Sequence, residues 1–347
     1  ESGDVISNKQ QINDFSWAFT DISVENIGTK LTYFINPEWE VKIGYNEQTF
    51  KRQRFESSPK MPSNYQKGDS YISKPYDRFD DWQFKTAFID LNGEFTLGGI
   101  EHKLLIGANS LDYYYGQLKT NGESITHIPG QIDPAKPNIS YTTDDSLRTS
   151  AYDYYGIYFQ DLMTFNEQWQ LAIGGRYDKQ NKEGADNESL LPKIGVLYHP
   201  IEGSTLYVNY SEGFEPQSSD KINNDLDKND GMKIDAKTSK QIKVGAKWQV
   251  SDHLLLNAAI FNIEKSGTLI SEQLLDDPIY ETVTTQSGLQ VHKGIELAAQ
   301  GAITDKWFVM TSLMYLNAKY QEDAKYEGNS PADAPKWSAS FWSRYEL

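Results

Sequence analysis

The chain has 347 residues, 38% of them hydrophobic and 13% aromatic, a net charge of -16 and no cysteine. The acidic balance excludes a nucleic-acid partner, which would want clustered Lys and Arg, and the absence of cysteine excludes disulfide scaffolds, thiolate zinc sites and cysteine nucleophiles. A mean hydropathy of -0.63 excludes spanning helices, which need about 20 mostly apolar residues, but not a barrel whose strands show lipid only every second residue.

The chain opens on Glu1-Ser2-Gly3, without a Met or an apolar leader, which reads as a processed end or as a portion of something longer. Alternation and turn residues then predict strands at 20–35 and 40–56, joined by Asn36-Pro37-Glu38. Strands at 81–97 and 102–118 follow, joined through Gly98-Gly99, and 149–164 and 169–181, joined by Phe165-Asn166-Glu167. The pair 188–198 and 204–213 turns at His199–Gly203, and 237–250 and 254–266 at Ser251-Asp252-His253. Strands 288–303 and 307–321 meet at Thr304-Asp305-Lys306, and a final strand covers 335–347. Between these pairs lie long polar stretches at 57–80, 119–148, 214–236 and 267–286.

Several strands have two unlike faces. Trp169, Leu171, Ile173 and Tyr177 oppose Gln168, Gln170 and Arg176. Ile242, Val244, Ala246 and Trp248 alternate with Gln241, Lys243, Lys247 and Gln249, and Leu206, Val208 and Tyr210 with Tyr207, Asn209 and Ser211. Short turns at one end and long loops at the other are the mark of an all-β, transmembrane, antiparallel up-and-down β-barrel, with the turns periplasmic and the loops extracellular. Strands longer than the ~9–11 residues that cross a bilayer would project as stalks. About thirteen strands is an odd number, whereas single-chain bacterial barrels have an even count, and open strand edges are costly in lipid. The expectation is one incomplete barrel domain over residues 1–347, whose last segment, Trp337–Leu347, is a strand that simply stops.

An ordered series of motifs then carries a resemblance. Tyr158-Phe159-Gln160-Asp161 leads into Gly174-Gly175-Arg176-Tyr177-Asp178, Pro192–Tyr198 and Tyr207–Pro216. Val244–Trp248, Ala259–Ile263 and Gly294-Ile295-Glu296-Leu297 follow. This series resembles the barrel of TonB-dependent ferric-siderophore receptors, in particular the ferric-hydroxamate branch; it is close over 150–347 and general over 1–150. The resemblance implies a plugged barrel of about 22 strands in the Gram-negative outer membrane. It further implies capture of a ferric siderophore and import driven by the inner-membrane TonB complex pulling on a plug. That plug and the last strands are expected to be absent from this segment. The iron arrives inside its chelator, so neither protein–iron bonds nor an intrinsic cofactor is expected.

Candidate ligand contacts follow from position. Tyr113-Tyr114-Tyr115 and Tyr152, Tyr154, Tyr155 and Tyr158 lie near strand tops, and alternation turns half of each cluster inward. Tyr113 and Tyr115 are the preferred pair, with Tyr152 and Tyr154 beside them; an aromatic girdle is the competing role. Phe214, in Ser211-Glu212-Gly213-Phe214-Glu215-Pro216, either lines the ligand path or anchors its loop, the anchor being favoured. Asp225-Leu226-Asp227-Lys228-Asn229-Asp230-Gly231 departs from the EF-hand pattern, since Gly comes one residue late and Ala236 occupies the twelfth position. Loop calcium held by oxygen ligands stands as an alternative to a solvated acidic loop of the kind expected at Asp144-Asp145. The five His show no zinc spacing, and no nucleophile elbow or phosphate loop is present, so nothing points to an enzyme. The competing functions are a passive porin, an outer-membrane enzyme, and a receptor of the same family for cobalamin, haem or an oligosaccharide.

Overall fold

A computed structural model of the chain describes residues 15–60, 62–64, 66, 68–139 and 146–347; Glu1–Gly3 and Asp144-Asp145 lie outside them. The strands are β1 (Phe19–Phe34), β2 (Trp39–Lys60), β3 (Tyr71–Leu97), β4 (Ile100–Asn121), β5 (Ile125–His127), β6 (Ser146–Thr164) and β7 (Trp169–Asn181). They continue as β8 (Asn187–Tyr198), β9 (Ser204–Glu215), β10 (Lys237–Ser251), β11 (Leu254–Gln273), β12 (Thr282–Thr304), β13 (Trp307–Glu322) and β14 (Trp337–Tyr345). One 14-stranded sheet contains them all, running in chain order from β1 to β14 with only β5 off the path, paired to β3. From β6 onward every neighbour pair is antiparallel.

The expected long strands are all present, and every tight turn falls at its expected place. Asn36 and Asn166 build matching turns: each side-chain oxygen accepts the backbone N–H groups two and three residues on. Gly98 and Gly99 take φ of 60° and 83°, the pair of positive values that a two-residue hairpin turn requires and that a side chain resists.

Two differences from the sequence reading stand out. The tripeptide strand β5 was not expected; it is too short for alternation to show. The polar stretches at 57–80 and 267–286 also contain much strand, because β2 runs to Lys60, β3 starts at Tyr71, β11 reaches Gln273 and β12 starts at Thr282. A backbone ladder needs no apolar face, so pairing continues where the hydrophobic signal ends.

The chain divides into two compact units. The first holds the residues up to Thr29 together with Tyr45–Thr86 and Leu111–Tyr152. There Phe15 and Phe55 are buried, Trp17 meets Phe55 edge-on at 5.4 Å, and Phe15 meets His127 at 5.1 Å. The Trp17 indole donates to the Pro134 carbonyl at 3.0 Å, and Asp133 accepts the Ser16 N–H at 2.7 Å. These contacts cover one face of β2 and β3 with the segments around 15–19 and 125–136.

The second unit holds Lys30–Gly44, Ala87–Ser110 and Asp153–Leu347. Its strands keep an apolar row exposed: Ile157, Ile194, Val208, Ile242, Val244, Ile260 and Ile295. The ~10 residues next to each tight turn carry this lipid-type alternation, and they are the membrane-crossing portions.

Candidate functional site

In the first unit, even positions of β2, β3 and β6 and odd positions of β4 share one face. On that face the rings lie in a row made of two sets of contacts. Phe50 meets Trp82 at 5.0 Å, Trp82 meets Tyr115 at 5.0 Å, Phe84 meets Tyr113 at 5.2 Å, and Tyr113 stacks on Tyr152 at 4.6 Å. The three rings of the last two contacts, together with Trp82 and Tyr115, come from three different strands, so only sheet register brings them together. Tyr114 and Tyr155 are exposed, as strand alternation requires of the residues between inward positions.

Beside the rings sits an ionic cluster centred on Asp80, whose side chain is fully buried. Arg52 donates to its Oδ2 at 3.0 Å, Arg78 to its Oδ1 at 2.7 Å, and Arg54 lies 3.6 Å from Oδ2. The Tyr115 hydroxyl donates to Asp80 Oδ1 at 2.8 Å and accepts from Arg78 at 2.9 Å. The Arg52 guanidinium also lies over the Trp82 ring, 4.9 Å from its centre. Burial opposes ionisation of Asp80, but the hydrogen bonds from Arg78, Tyr115 and Arg52 outweigh it and hold the carboxyl below its ordinary value.

Higher on the same face, Lys119 lies 4.2 Å from the centre of the Tyr76 ring. Burial, then the charges of Arg78, Arg54, Lys74 and Arg148, push the Lys119 ammonium below the usual lysine value. The Tyr76 hydroxyl donates to Glu56 at 2.5 Å; burial and that bond push it up to about 12. Sequence reading missed this cluster, because Arg52, Arg54, Arg78 and Asp80 fall in or beside a stretch taken for a polar loop. The available signal was the even spacing of the three arginines and the aspartate.

In the second unit Arg176 and its neighbours form a matched network. Tyr158 donates to Asp90 at 2.5 Å. Arg176 donates to Asp178 at 2.6 Å and to Asn109 at 2.8 Å, and it lies 5.0 Å from the centre of the Tyr158 ring. Gly107 makes room for this: a Cβ there would fall 2.4 Å from the Asp90 carboxylate and 2.5 Å from Tyr158. Tyr154 bonds with Asp178 and Arg176, so it belongs to this network and not to the ring row of Tyr113, Tyr115 and Tyr152.

Phe214 pairs with Thr238 and shares the face of Leu206 and Val208, both exposed. Alternation along β9 therefore turns it to the exposed apolar face.

The acidic loop has a further role. Asp227 is 1% exposed and accepts from Asn229 N at 2.9 Å, Thr284 N at 3.1 Å, Thr282 Oγ1 at 2.9 Å and Thr284 Oγ1 at 2.5 Å. Its oxygens clamp the 216–236 loop to the start of β12. Asp230 accepts the Asn224 N–H at 2.8 Å. Among the described residues no three metal-binding side chains converge. Asn187 and Gln217 add a second clamp, exchanging bonds at 2.9 and 3.2 Å, and Gln217 reaches the Gly267 carbonyl at 2.9 Å.

Comparison with known proteins agrees with this geometry. The profile of the family described as TonB dependent receptor-like, beta-barrel, matches residues 2–347. The ferrichrome outer membrane transporter/phage receptor of Escherichia coli K12 is 27% identical over 303 residues, covering 79% of this chain and 38% of that protein. The catecholate siderophore receptor Fiu of the same strain is 29% identical over 340 residues, covering 80% and 43%. The crystal structure of the siderophore receptor PiuA from Acinetobacter baumannii superposes with a TM-score of 0.73 at 22% identity, covering 95% of this chain and 53% of that one. The chain thus spans less than half the length of these two curated relatives. With its strand order, exposed apolar rows and matched profile, the chain belongs to the TonB-dependent receptor-like β-barrel family of the bacterial outer membrane.

Proposed function

We propose that this chain is part of the barrel of a receptor that captures a ferric siderophore at its extracellular mouth and imports it with energy supplied from the inner membrane. The observation that carries this is the ring row of Trp82, Tyr115, Phe84, Tyr113 and Tyr152 on a polar strand face. A chelated iron presents an organic outer surface, and flat rings offer contact area to it at low entropic cost. Tyr113, Tyr115 and Tyr152 are the proposed contacts. Tyr154 is a positioning residue for Arg176, and Phe214 is a loop anchor. The iron is cargo, and no resident cofactor takes part. The family consists of receptors and transporters, and an uncatalysed capture step agrees with that.

Residues 1–347 form one incomplete barrel domain in this reading. A plug elsewhere in the whole protein would couple it to the inner-membrane TonB complex. The test is uptake of radiolabelled iron by cells expressing the whole receptor, with and without the energy-coupling complex. Saturable uptake that stops when the complex is deleted is the expected result. Uptake that survives the deletion would make the protein a passive channel, and saturable uptake of haem or cobalamin instead would replace the cargo.

A further inference from the structure

The face that carries the ring row is cationic in a protein whose net charge is -16. Arg52, Arg54, Lys74, Arg78 and Arg148 gather on it, and the carboxylates that bond there among the described residues are Asp80 and Glu56. Asp80 is shared by three guanidinium groups and so cannot neutralise them. Glu56 accepts from the Tyr76 and Thr20 hydroxyls, at 2.5 and 2.9 Å, and offsets only part of the charge of Arg54 and Arg52. Arg54 holds Asp80 only at 3.6 Å, and its buried Nε donates to no described group. Repulsion among like charges disfavours such a cluster unless something negative arrives, and an acidic chain has carboxylates enough to neutralise it locally. The second unit does so: Arg176 faces Asp178, with Asp90 close by.

We propose that this face selects metal chelates that carry net negative charge and flat aromatic donor groups, and that it discriminates against neutral chelates of similar size. The inference rests on the siderophore-receptor reading above and narrows its substrate class. A ferric tris-catecholate is a trianion with aromatic rings on its surface, whereas a ferric tris-hydroxamate is neutral. The trianion meets both halves of the face: rings against Trp82, Tyr115, Tyr113 and Tyr152, and charge against Arg54 and Arg78. Arginine forks suit the paired oxygens of a catecholate, and they are weakly hydrated, so the cost of drying the contact is low. This departs from the hydroxamate branch that the sequence motifs resemble. Apart from Tyr158–Asp161, at the far end of β6 from Arg148, those motifs lie outside the strands that carry the cationic face, so they say nothing about its charge.

The test uses the whole receptor in detergent and two probes built on one tripod, a ferric tris-catecholate and a ferric tris-hydroxamate. Binding is read from quenching of tryptophan fluorescence. The expected result is that the anionic probe binds more tightly by at least about tenfold and loses affinity steeply with salt. Arg54→Gln should weaken the anionic probe by about tenfold and flatten its salt dependence, leaving the neutral probe unchanged. Arg54→Lys, which keeps the charge, should recover most of the loss. Equal affinity for the two probes, or equal losses for both in Arg54→Gln, overturns the charge selection while leaving the siderophore reading in place. Binding of neither probe by a folded receptor overturns the siderophore reading itself.

Discussion

The two units match their part-buried arginines differently. In the second, the Asp227 carboxylate meets four donors, Asn187 and Gln217 exchange bonds, and Arg176 is matched by Asp178. In the first, three arginines crowd one buried aspartate, and a lysine sits among further cations. Satisfied groups hold loops and strands in place; a charge surplus costs stability and is retained where it serves recognition. On the function proposed above, the contrast separates scaffold from contact surface.

The contrast is open to attack by substitution. Asp80→Ala removes the one anion that three guanidinium groups share and should cost about 3 kcal/mol, read as a fall in melting temperature of the receptor in detergent. Because the Asp80 carboxyl is held below its ordinary value, its contribution is present above that value and is lost as pH falls through the folded one. Acid scans of the wild type should accordingly show a loss of stability that the Asp80→Ala variant lacks. Asp227→Ala strands two threonine hydroxyls and two backbone N–H groups and should cost about 2 kcal/mol, confined to the clamped loop. Hydrogen exchange should then rise around Asn229 and Thr284 with no change in ligand affinity; a matching loss of affinity would erase the division between scaffold and contact surface.

Smaller effects sharpen the same division. Tyr152→Leu keeps an apolar side chain but breaks the stack on Tyr113, and should weaken chelate binding by about 1 kcal/mol, measured by fluorescence titration. Phe214→Leu, on the opposite face of its strand, should shift that affinity by less than about 0.5 kcal/mol. A larger loss would return Phe214 to the contact surface.

Much of this architecture was legible one strand at a time. The tight turns at Asn36, Gly98-Gly99 and Asn166 announce themselves by residue type, and the lipid rows of β7 and β10 follow from period-two alternation. Tyr113, Tyr115 and Tyr152 were identifiable as rings near strand tops, and alternation sets each apart from the residues beside it. The extra length of β2 and β3 was not legible, since hydrogen-bonded backbone leaves no hydrophobic signature. Nor was the separation of Tyr154 from Tyr152, because the two share a strand face and differ only in what neighbouring strands place beside them.

The sequence by itself determined the strand rhythm, the two unlike faces and the barrel class, because each depends on spacing within a few residues. Tertiary structure decided everything that depends on register. Arg52 on β2, Asp80 on β3 and Tyr115 on β4 lie far apart in the chain, and they meet only because the three strands pair in one alignment. Asp227 finds Thr282 and Thr284 in the same way, across a 55-residue separation. A shift of one residue in either pairing would turn these side chains to the other face, and no local pattern records which alignment holds.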